Sequence, residues 1–178
     1  MVNVSIAVAV LLLALVVAIG TRPQTFRVER SALIEAPPNA IFPYVNDFHR
    51  WNRWSPFEKL DPNLQRTFSG AASGVGTTYR WAGNRQAGEG SMTITQSVPD
   101  ERIVLDLAFL KPFKATNVTE FTFVPASGGT TVTWTMTGAN TLPGKLISLV
   151  SSMDRMVGGS FAEGLANLKA LAETEGRT

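Results

Sequence analysis

The stretch of sequence that decides the fold lies near the end of the chain, at residues 144–173, and reads GKLISLVSSMDRMVGGSFAEGLANLKALAE. Its apolar side chains recur every three or four residues, which places them on one stripe of an α-helix. They are Leu146, Ile147, Leu149, Val150, Met153, Met156, Val157, Phe161, Leu165, Leu168 and Leu171. At 1.5 Å per residue such a helix would extend roughly 45 Å, nearly three times an average globular helix. The pattern predicts one long C-terminal helix around which the rest of the domain is organised.

Three glycines interrupt this predicted helix. Gly158 and Gly159 are adjacent, each costs about 1 kcal/mol relative to alanine, and together they predict a point where the helix can bend. Gly164 lies within the apolar stripe, which favours close packing of the helix backbone against a neighbouring element.

Between residues 64 and 137 the pattern changes to alternating apolar and polar residues, which is typical of strands with one covered face. Six strands are predicted there, and a first strand precedes them at about residues 26–34. The six lie at about residues 64–69, 76–81, 90–98, 102–110, 116–124 and 130–137. Their short connections contain Gly, Pro and Asn, so neighbouring strands should pair antiparallel. Two short helices are predicted after the first strand, at about residues 39–48 and 50–56.

The alternation also assigns each strand residue to one face of the sheet. Large apolar side chains fall on the face towards the helix, and threonines and charged residues fall on the other face. The polar residues predicted on the inner face are Thr77, Tyr79, Gln96, Asn117 and Thr119. None is a carboxylate or an imidazole, so the strands predict no acid–base pair inside the domain. A β-bulge near Gly88 or Gly90 could turn Glu89 inward, although a solvated Glu89 is the expectation.

Composition excludes several classes of function. The 178 residues include no cysteine and one histidine, which excludes disulfides, thiol nucleophiles and thiolate metal sites and leaves little material for zinc or iron. The formal net charge is +2, with Lys and Arg scattered along the chain, so no nucleic-acid partner is predicted. We expect no metal and no cofactor. The sole histidine, His49, is expected at the surface.

The N-terminal residues 4–19, VSIAVAVLLLALVVAI, carry no charge. As a helix, residues 2–20 would extend about 28 Å, close to the thickness of a hydrocarbon core of about 30 Å. The alternatives are a cleaved signal peptide, for which Ala18-Ile19-Gly20 resembles a cleavage site, and an uncleaved transmembrane anchor, which the lack of Lys and Arg before the segment favours. The arginines at 22, 27 and 30 lean towards a cytoplasmic domain on a single-pass membrane protein.

The predicted domain organisation is therefore an anchor or signal-like segment at 1–20, a linker at 21–24, a ligand-binding domain at 25–174 and a tail at 175–178. The predicted fold class is α+β. We expect a helix-grip arrangement, in which a curved antiparallel sheet of about seven strands wraps the long helix, with two short helices after the first strand and a transmembrane helix before it.

Several runs of sequence, in this order, resemble the SRPBCC or START-like superfamily, and more narrowly its polyketide cyclase/dehydrase and lipid-transport branch. They are RVERSALIEAPPNAIFPYVNDFHRWNRWSPF at 27–57, GVGTTYRW at 74–81, GEGSMTI at 88–94, GGTTVTW at 128–134 and MDRMVGGSFAEGLANLKALAE at 153–173. The resemblance covers nearly everything after Gln24 and implies an internal cavity for an apolar ligand. It does not imply a reaction, because this frame carries both binding proteins and enzymes.

We predict that the protein binds a hydrophobic small molecule or lipid inside this domain and is tethered to a membrane by its N-terminal helix. The candidate cavity residues are Trp54, Tyr79, Trp81, Met92, Phe109, Asn117, Trp134, Met153, Val157 and Phe161, of which Tyr79 and Asn117 are polar groups that would orient the ligand. No catalytic residue is predicted. The alternative is an enzyme of the cyclase or dehydratase type, with Tyr79 or an inward Glu89 as proton donor. A third possibility is a ligand-free protein-interaction domain with a filled core.

Overall fold

The computed structural model describes residues 2–141, 144–145 and 152–175, with side chains from residue 6 onward. Apart from the helices, the fold consists of one seven-stranded sheet. In chain order the elements are α1 (Val2–Gly20), β1 (Thr25–Ile34), α2 (Pro38–Asn46), two 3₁₀ helices (Phe48–Arg53 and Pro56–Lys59), β2 (Gln65–Ser69), β3 (Thr78–Ala82), β4 (Glu89–Val98), β5 (Arg102–Lys111), β6 (Ala115–Ala126), β7 (Gly129–Ala139) and α3 (Met153–Glu175).

The sheet has the strand order β1-β7-β6-β5-β4-β3-β2, and every neighbouring pair is antiparallel. Strands β2 to β7 follow one another as hairpins, because the links between them are too short for a crossover helix. The chain enters the sheet at β1, passes through the short helices and returns at β2 on the opposite edge. The predicted seven-stranded antiparallel sheet and the short helical segments after its first strand are confirmed.

The two faces of the sheet sort as the alternation predicts. The inner face buries Ile94, Ile103, Leu105, Phe121 and Val132. Four of the five polar residues predicted on this face are buried, but the fifth, Gln96, is exposed and accepts a hydrogen bond from Arg102 Nη2 at 2.9 Å. The register shifts between Ile94 and Gln96, and the extra residue turns the following side chains to the opposite face.

The C-terminal helix α3 begins at Met153 in the described residues, and the predicted residues 146, 147, 149 and 150 of its stripe lie outside them. Phe161, Leu165 and Leu168 are buried, whereas Met156, predicted in the same stripe, is exposed. The helix packs mainly against β1 and contacts β7 more lightly. The described part of α3 therefore lies over the β1 edge of the inner face.

The adjacent glycines of α3 have different surroundings. A Cβ on Gly158 would lie 2.1 Å from Arg30 Nη2, whereas a Cβ on Gly159 would meet nothing within 4 Å. Arg30 reaches across from β1 and donates hydrogen bonds of 2.7 and 3.0 Å to the two carboxylate oxygens of Asp154. Gly158 thus leaves room for an ion pair between α3 and β1, and the helix runs without interruption through both glycines.

The predicted transmembrane helix corresponds to α1, which runs from Val2 to Gly20. Within the part of the chain that the structure describes, no helix combines the length and the apolar character needed to cross a membrane. The prediction of a transmembrane helix, and with it the single-pass membrane localisation, is wrong.

Candidate functional site

A cavity of about 260 Å³ lies inside the domain. It is bounded by the inner face of β3, β4 and β5, by the second 3₁₀ helix and the loop after it, and by the first turns of α3. Its lining is mostly apolar and comprises Trp51, Ser55, Phe57, Glu58, Leu60, Leu64, Tyr79, Trp81, Gln86, Ala87, Met92, Leu105, Leu107, Phe109, Thr119, Trp134, Met136, Val157 and Phe161. A lining of this composition is suited to an apolar ligand with few polar groups.

The position of α3 explains why the cavity exists. In the described part of the chain the helix packs mainly against β1, so only its first turns, with Val157 and Phe161, reach the cavity. The other described residues opposite the inner face of β3 to β5 come from the short 3₁₀ segments and the β3–β4 loop. At the border of the covered region the rings of Trp134 and Phe161 stack nearly parallel, with centroids 4.0 Å apart. These two rings form the wall between the packed core and the cavity.

Seven of the ten residues predicted for the ligand site line this cavity. They are Tyr79, Trp81, Met92, Phe109, Trp134, Val157 and Phe161. The strand residues among them share the inner face, as the alternation predicts, and Val157 and Phe161 are one turn apart on α3. The structure therefore brings these side chains together around one space.

The other three predicted residues do not line the cavity. Trp54 is completely buried, and its indole donates a hydrogen bond of 3.0 Å to the carbonyl oxygen of Tyr44. The carboxamide of Asn117 covers Gly138, where an added Cβ would lie 2.0 Å from Asn117 Oδ1. Met153 packs against the core from the side. Trp54 and Asn117 are on the interior as predicted, but at positions where the core is already filled.

Sequence reasoning missed a buried carboxylate in this cavity. Glu58 lies on the second 3₁₀ helix and is only 8% exposed. The hydroxyl of Tyr79 donates to Glu58 Oε1 at 2.7 Å, and Arg66 Nε donates to Glu58 Oε2 at 2.6 Å. Arg66 also donates through Nη2 to the carbonyl oxygen of Glu58 and through Nη1 to that of Leu64, both at 3.0 Å. Glu58, Tyr79 and Arg66 form the polar cluster of the cavity.

The only sequence signal near Glu58 pointed elsewhere. Ser55-Pro56-Phe57-Glu58 has the spacing of a capping box, which predicts a glutamate at a helix N-terminus and Ser55 bonded to the backbone. In the structure the Ser55 side chain makes no capping bond, and Glu58 turns inward to Tyr79. Strand alternation places Tyr79 inside, but it carries no information about a residue on a short 3₁₀ helix.

Burial holds Tyr79 in its protonated form. Removal from water, and then the hydrogen bond to Glu58, raise the pKa of Tyr79 well above that of an ordinary phenol. Tyr79 therefore remains a neutral hydroxyl at physiological pH, with its single hydrogen directed to Glu58 Oε1.

Two further polar atoms of cavity-lining residues lack a partner. Ser55 Oγ and Trp134 Nε1 are buried and have no hydrogen-bond partner among the described residues. Buried polar groups are normally hydrogen-bonded, so such atoms call for an explanation, and an acceptor supplied by a bound molecule is one. Both atoms are available as donors to such an acceptor.

Glu89 and His49, considered as acid–base residues, lie outside the cavity. The register shift considered near Gly88 or Gly90 occurs between Glu89 and Gly90, but Glu89 forms an ion pair of 2.6 Å with Lys111 Nζ and is absent from the cavity wall. The side chain of His49 is half exposed, and its ring stacks on Phe68 with centroids 4.2 Å apart. Neither residue can take part in chemistry inside the cavity as it stands.

A second depression on the surface is larger but shallower. This polar groove, of about 630 Å³, lies beside the β3–β4 hairpin and is lined among others by Asp61, Asn84, Glu89 and Lys111. Three of its charged groups are engaged: Asp61 accepts hydrogen bonds from the backbone N–H groups of Asn63 and Asn84, and Glu89 pairs with Lys111. The deeper, apolar cavity, with two buried donors that have no partner among the described residues, is the stronger candidate for a binding site.

No group of three or more His, Asp or Glu side chains suited to a metal ion occurs among the described residues. Within the same residues the cavity wall contains one charged side chain, Glu58, and its oxygens are occupied by Tyr79 and Arg66. The cavity is therefore arranged to hold an organic molecule by shape and by a few hydrogen bonds.

Comparison with known proteins agrees with this architecture. The sequence profile of the family described as "Polyketide cyclase / dehydrase and lipid transport" matches residues 25–173. No curated protein sequence matches the chain at a significant level.

Solved structures share the fold. A Staphylococcus aureus protein of unknown function, SA2116, has a TM-score of 0.63 at 15% identity, with 86% of this chain and 97% of that one covered. The di-domain ARO/CYC protein StfQ of the steffimycin biosynthetic pathway has a TM-score of 0.65 at 12% identity, covering 87% of this chain and 53% of StfQ. The Aha1 dimer of Colwellia psychrerythraea has a TM-score of 0.54 at 18% identity, covering 83% and 96%. At these identities the similarity establishes the fold alone.

Proposed function

We propose that this chain, which belongs to the polyketide cyclase/dehydrase and lipid transport family, binds one small apolar molecule in the cavity beneath β3 to β5. The observation that carries this proposal is the partly open cavity of about 260 Å³, with an apolar wall and a single buried polar cluster. A ligand-free domain with a filled core would have no reason to leave this space or the unpartnered donors of Ser55 and Trp134.

The volume limits the size of the ligand. The cavity volume of about 260 Å³ is that of roughly nine water molecules in liquid water, each of which occupies about 30 Å³. That is slightly below the usual range of about 300–1,000 Å³ for small-molecule pockets. A one- or two-ring molecule or a short acyl chain fits this space, whereas a lipid with two long chains does not.

Equilibrium dialysis of the full-length protein against naphthalene tests this proposal. We expect saturable binding of one molecule per chain. Leu107→Trp places a larger side chain on the cavity wall and should weaken binding by about tenfold or more. Val118→Trp is the matched control, because Val118 is an exposed residue on the outer face of the neighbouring strand β6. Binding that is absent in the wild type, or equally tight in both variants, would contradict a ligand site in this cavity.

An enzyme of the cyclase or dehydratase type is the second candidate, because a carboxylate and a phenol meet inside the cavity. Such a reaction needs one group to remove a proton from carbon and another to protonate a departing hydroxyl. The geometry favours this role less than binding, since Tyr79 already directs its hydrogen to Glu58 and the raised pKa of Tyr79 makes it a weak acid. Turnover of a bound hydroxyketone that is lost in Glu58→Gln, with binding retained, would promote the enzyme to first candidate.

A further inference from the structure

The hydrogen-bonding state of Tyr79 determines what the cavity can recognise. A phenol has one hydrogen to donate and two lone pairs to accept with. The hydrogen is committed to Glu58 Oε1 at 2.7 Å, so Tyr79 Oη can only accept from a ligand. The complementary group on the ligand is a hydrogen-bond donor.

The charge balance of the polar cluster excludes an anionic ligand. Glu58 is the single charged residue among the described residues of the cavity wall, and its charge is compensated by Arg66. The three Arg66 nitrogens donate to Glu58 and to the carbonyl oxygen of Leu64, and the guanidinium also interacts with the Tyr79 hydroxyl, which leaves that oxygen one lone pair for a ligand. A carboxylate in the cavity would therefore meet Glu58 without a free cation, and burying an unpaired charge is costly.

The walls favour a flat ligand. Tyr79 and Trp81 stack with ring centroids 6.0 Å apart and planes inclined by 24°, and Trp134 and Phe161 form a parallel stack at the opposite wall. Aromatic faces pack well against other rings. Ser55 Oγ and Trp134 Nε1 have no partner among the described residues. Each can donate a hydrogen bond to an oxygen atom of the ligand. A hydroxyl group satisfies both demands, because it donates and accepts.

We propose that the ligand is a neutral aromatic molecule of one or two rings, and that it donates a hydroxyl hydrogen to Tyr79 Oη. This inference rests on the proposed function of the cavity as a binding site. It adds the chemistry of the ligand: uncharged, flat, and carrying a hydroxyl rather than a carboxylate or an ether at its polar end.

Four probes of nearly equal size separate these features: 2-naphthol, 2-methoxynaphthalene, naphthalene and 2-naphthoate. In equilibrium dialysis with the full-length protein near neutral pH, 2-naphthol should bind about threefold to tenfold more tightly than 2-methoxynaphthalene, the range that one net hydrogen bond supplies. The naphthoate anion should bind more weakly than 2-naphthol by about tenfold or more.

Two substitutions test the role of Tyr79 itself. Tyr79→Phe should abolish the preference for 2-naphthol over 2-methoxynaphthalene while naphthalene still binds. Tyr44→Phe is the matched control, because Tyr44 is the only other tyrosine and bonds to Glu175 outside the cavity. Glu58→Gln should shift the preference towards 2-methoxynaphthalene, since the new amide can donate to Tyr79 Oη and release the phenol hydrogen to the ligand.

The outcomes distinguish this inference from the proposed function. If no probe binds, the cavity is not a ligand site and both fail. If naphthalene and 2-methoxynaphthalene bind as tightly as 2-naphthol, or if 2-naphthoate binds most tightly, the proposed function survives and the hydroxyl recognition by Tyr79 is overturned. The wild-type comparison needs no variant, so it decides the matter even if a substitution prevents folding.

Discussion

The inner face of the sheet has two halves that are built from similar aromatic residues but differ in how they are filled. In the packed half, Trp54, Phe121 and Gly164 lie against the wall formed by Trp134 and Phe161. In the hollow half, Tyr79 and Trp81 border the cavity on the other side of that wall. Residue type does not distinguish the halves, whereas the position of α3 does, because the helix packs mainly against β1.

The two halves also differ in their polar groups. In the packed half the indole of Trp54 donates to the carbonyl oxygen of Tyr44 at 3.0 Å. The hollow half contains the buried carboxylate of Glu58 and two atoms, Ser55 Oγ and Trp134 Nε1, that have no hydrogen-bond partner in the part of the chain that the structure describes. The hollow half therefore has hydrogen-bonding capacity left for a ligand.

The largest expected effect comes from removing one tryptophan from each half. Trp54→Ala should lower the free energy of unfolding by about 3–5 kcal/mol, because it leaves a large cavity in a filled core. Trp81→Ala should cost less than about 2 kcal/mol, because this ring is partly exposed and already borders a hollow. Urea unfolding of both variants measures the difference. Equal losses would contradict the division into packed and hollow halves.

A smaller effect is expected from adding a methyl group to glycines of α3. In Gly164→Ala the new Cβ would lie 2.8 Å from the ring of Trp134 and 3.1 Å from Pro56, and overpacking of this kind costs about 1–3 kcal/mol. Gly159→Ala is the matched control on the same helix. The added Cβ has no other atom within 4 Å, so the substitution should stabilise the protein by up to about 1 kcal/mol through helix propensity. Thermal unfolding of both variants should show shifts of opposite sign.

The smallest expected effect is a dependence of stability on pH in the alkaline range. Burial raises the pKa of both tyrosines, Tyr79 and Tyr44, above the ordinary value of about 10. Above about pH 10 the unfolded chain therefore loses phenol protons that the folded chain keeps, so the free energy of unfolding should fall as the pH rises further. The decline should be shallower in Tyr79→Phe. Ultraviolet titration of tyrosinate in the folded protein measures the two pKa values. Ionisation of both tyrosines near pH 10 would contradict the prediction.

Much of the fold could be predicted from the sequence because periodicity reports directly on which face of an element is covered. The alternation located seven strands and the inner position of Tyr79, and the helical stripe located Phe161 and Leu165. It failed at Gln96, where a register shift reverses the faces, because a bulge depends on how two strands pair.

The candidate site could be predicted only in part. Periodicity places Trp54 and Trp81 alike in the interior, but whether a space is filled depends on where the helix crosses the sheet. Glu58 was missed because a 3₁₀ helix of four residues, Pro56–Lys59, is too short to show a period.

The most direct test of the account is a crystal structure of the protein soaked with 6-bromo-2-naphthol, located by the anomalous scattering of bromine. We expect one bromine site inside the cavity between Trp81 and Phe161, with the ligand oxygen about 3 Å from Tyr79 Oη. The packed half should contain none. A molecule bound only in the polar groove beside Asp61 and Lys111, or a cavity closed by side chains with no bromine in it, would contradict the central claim that the hollow half is a ligand site.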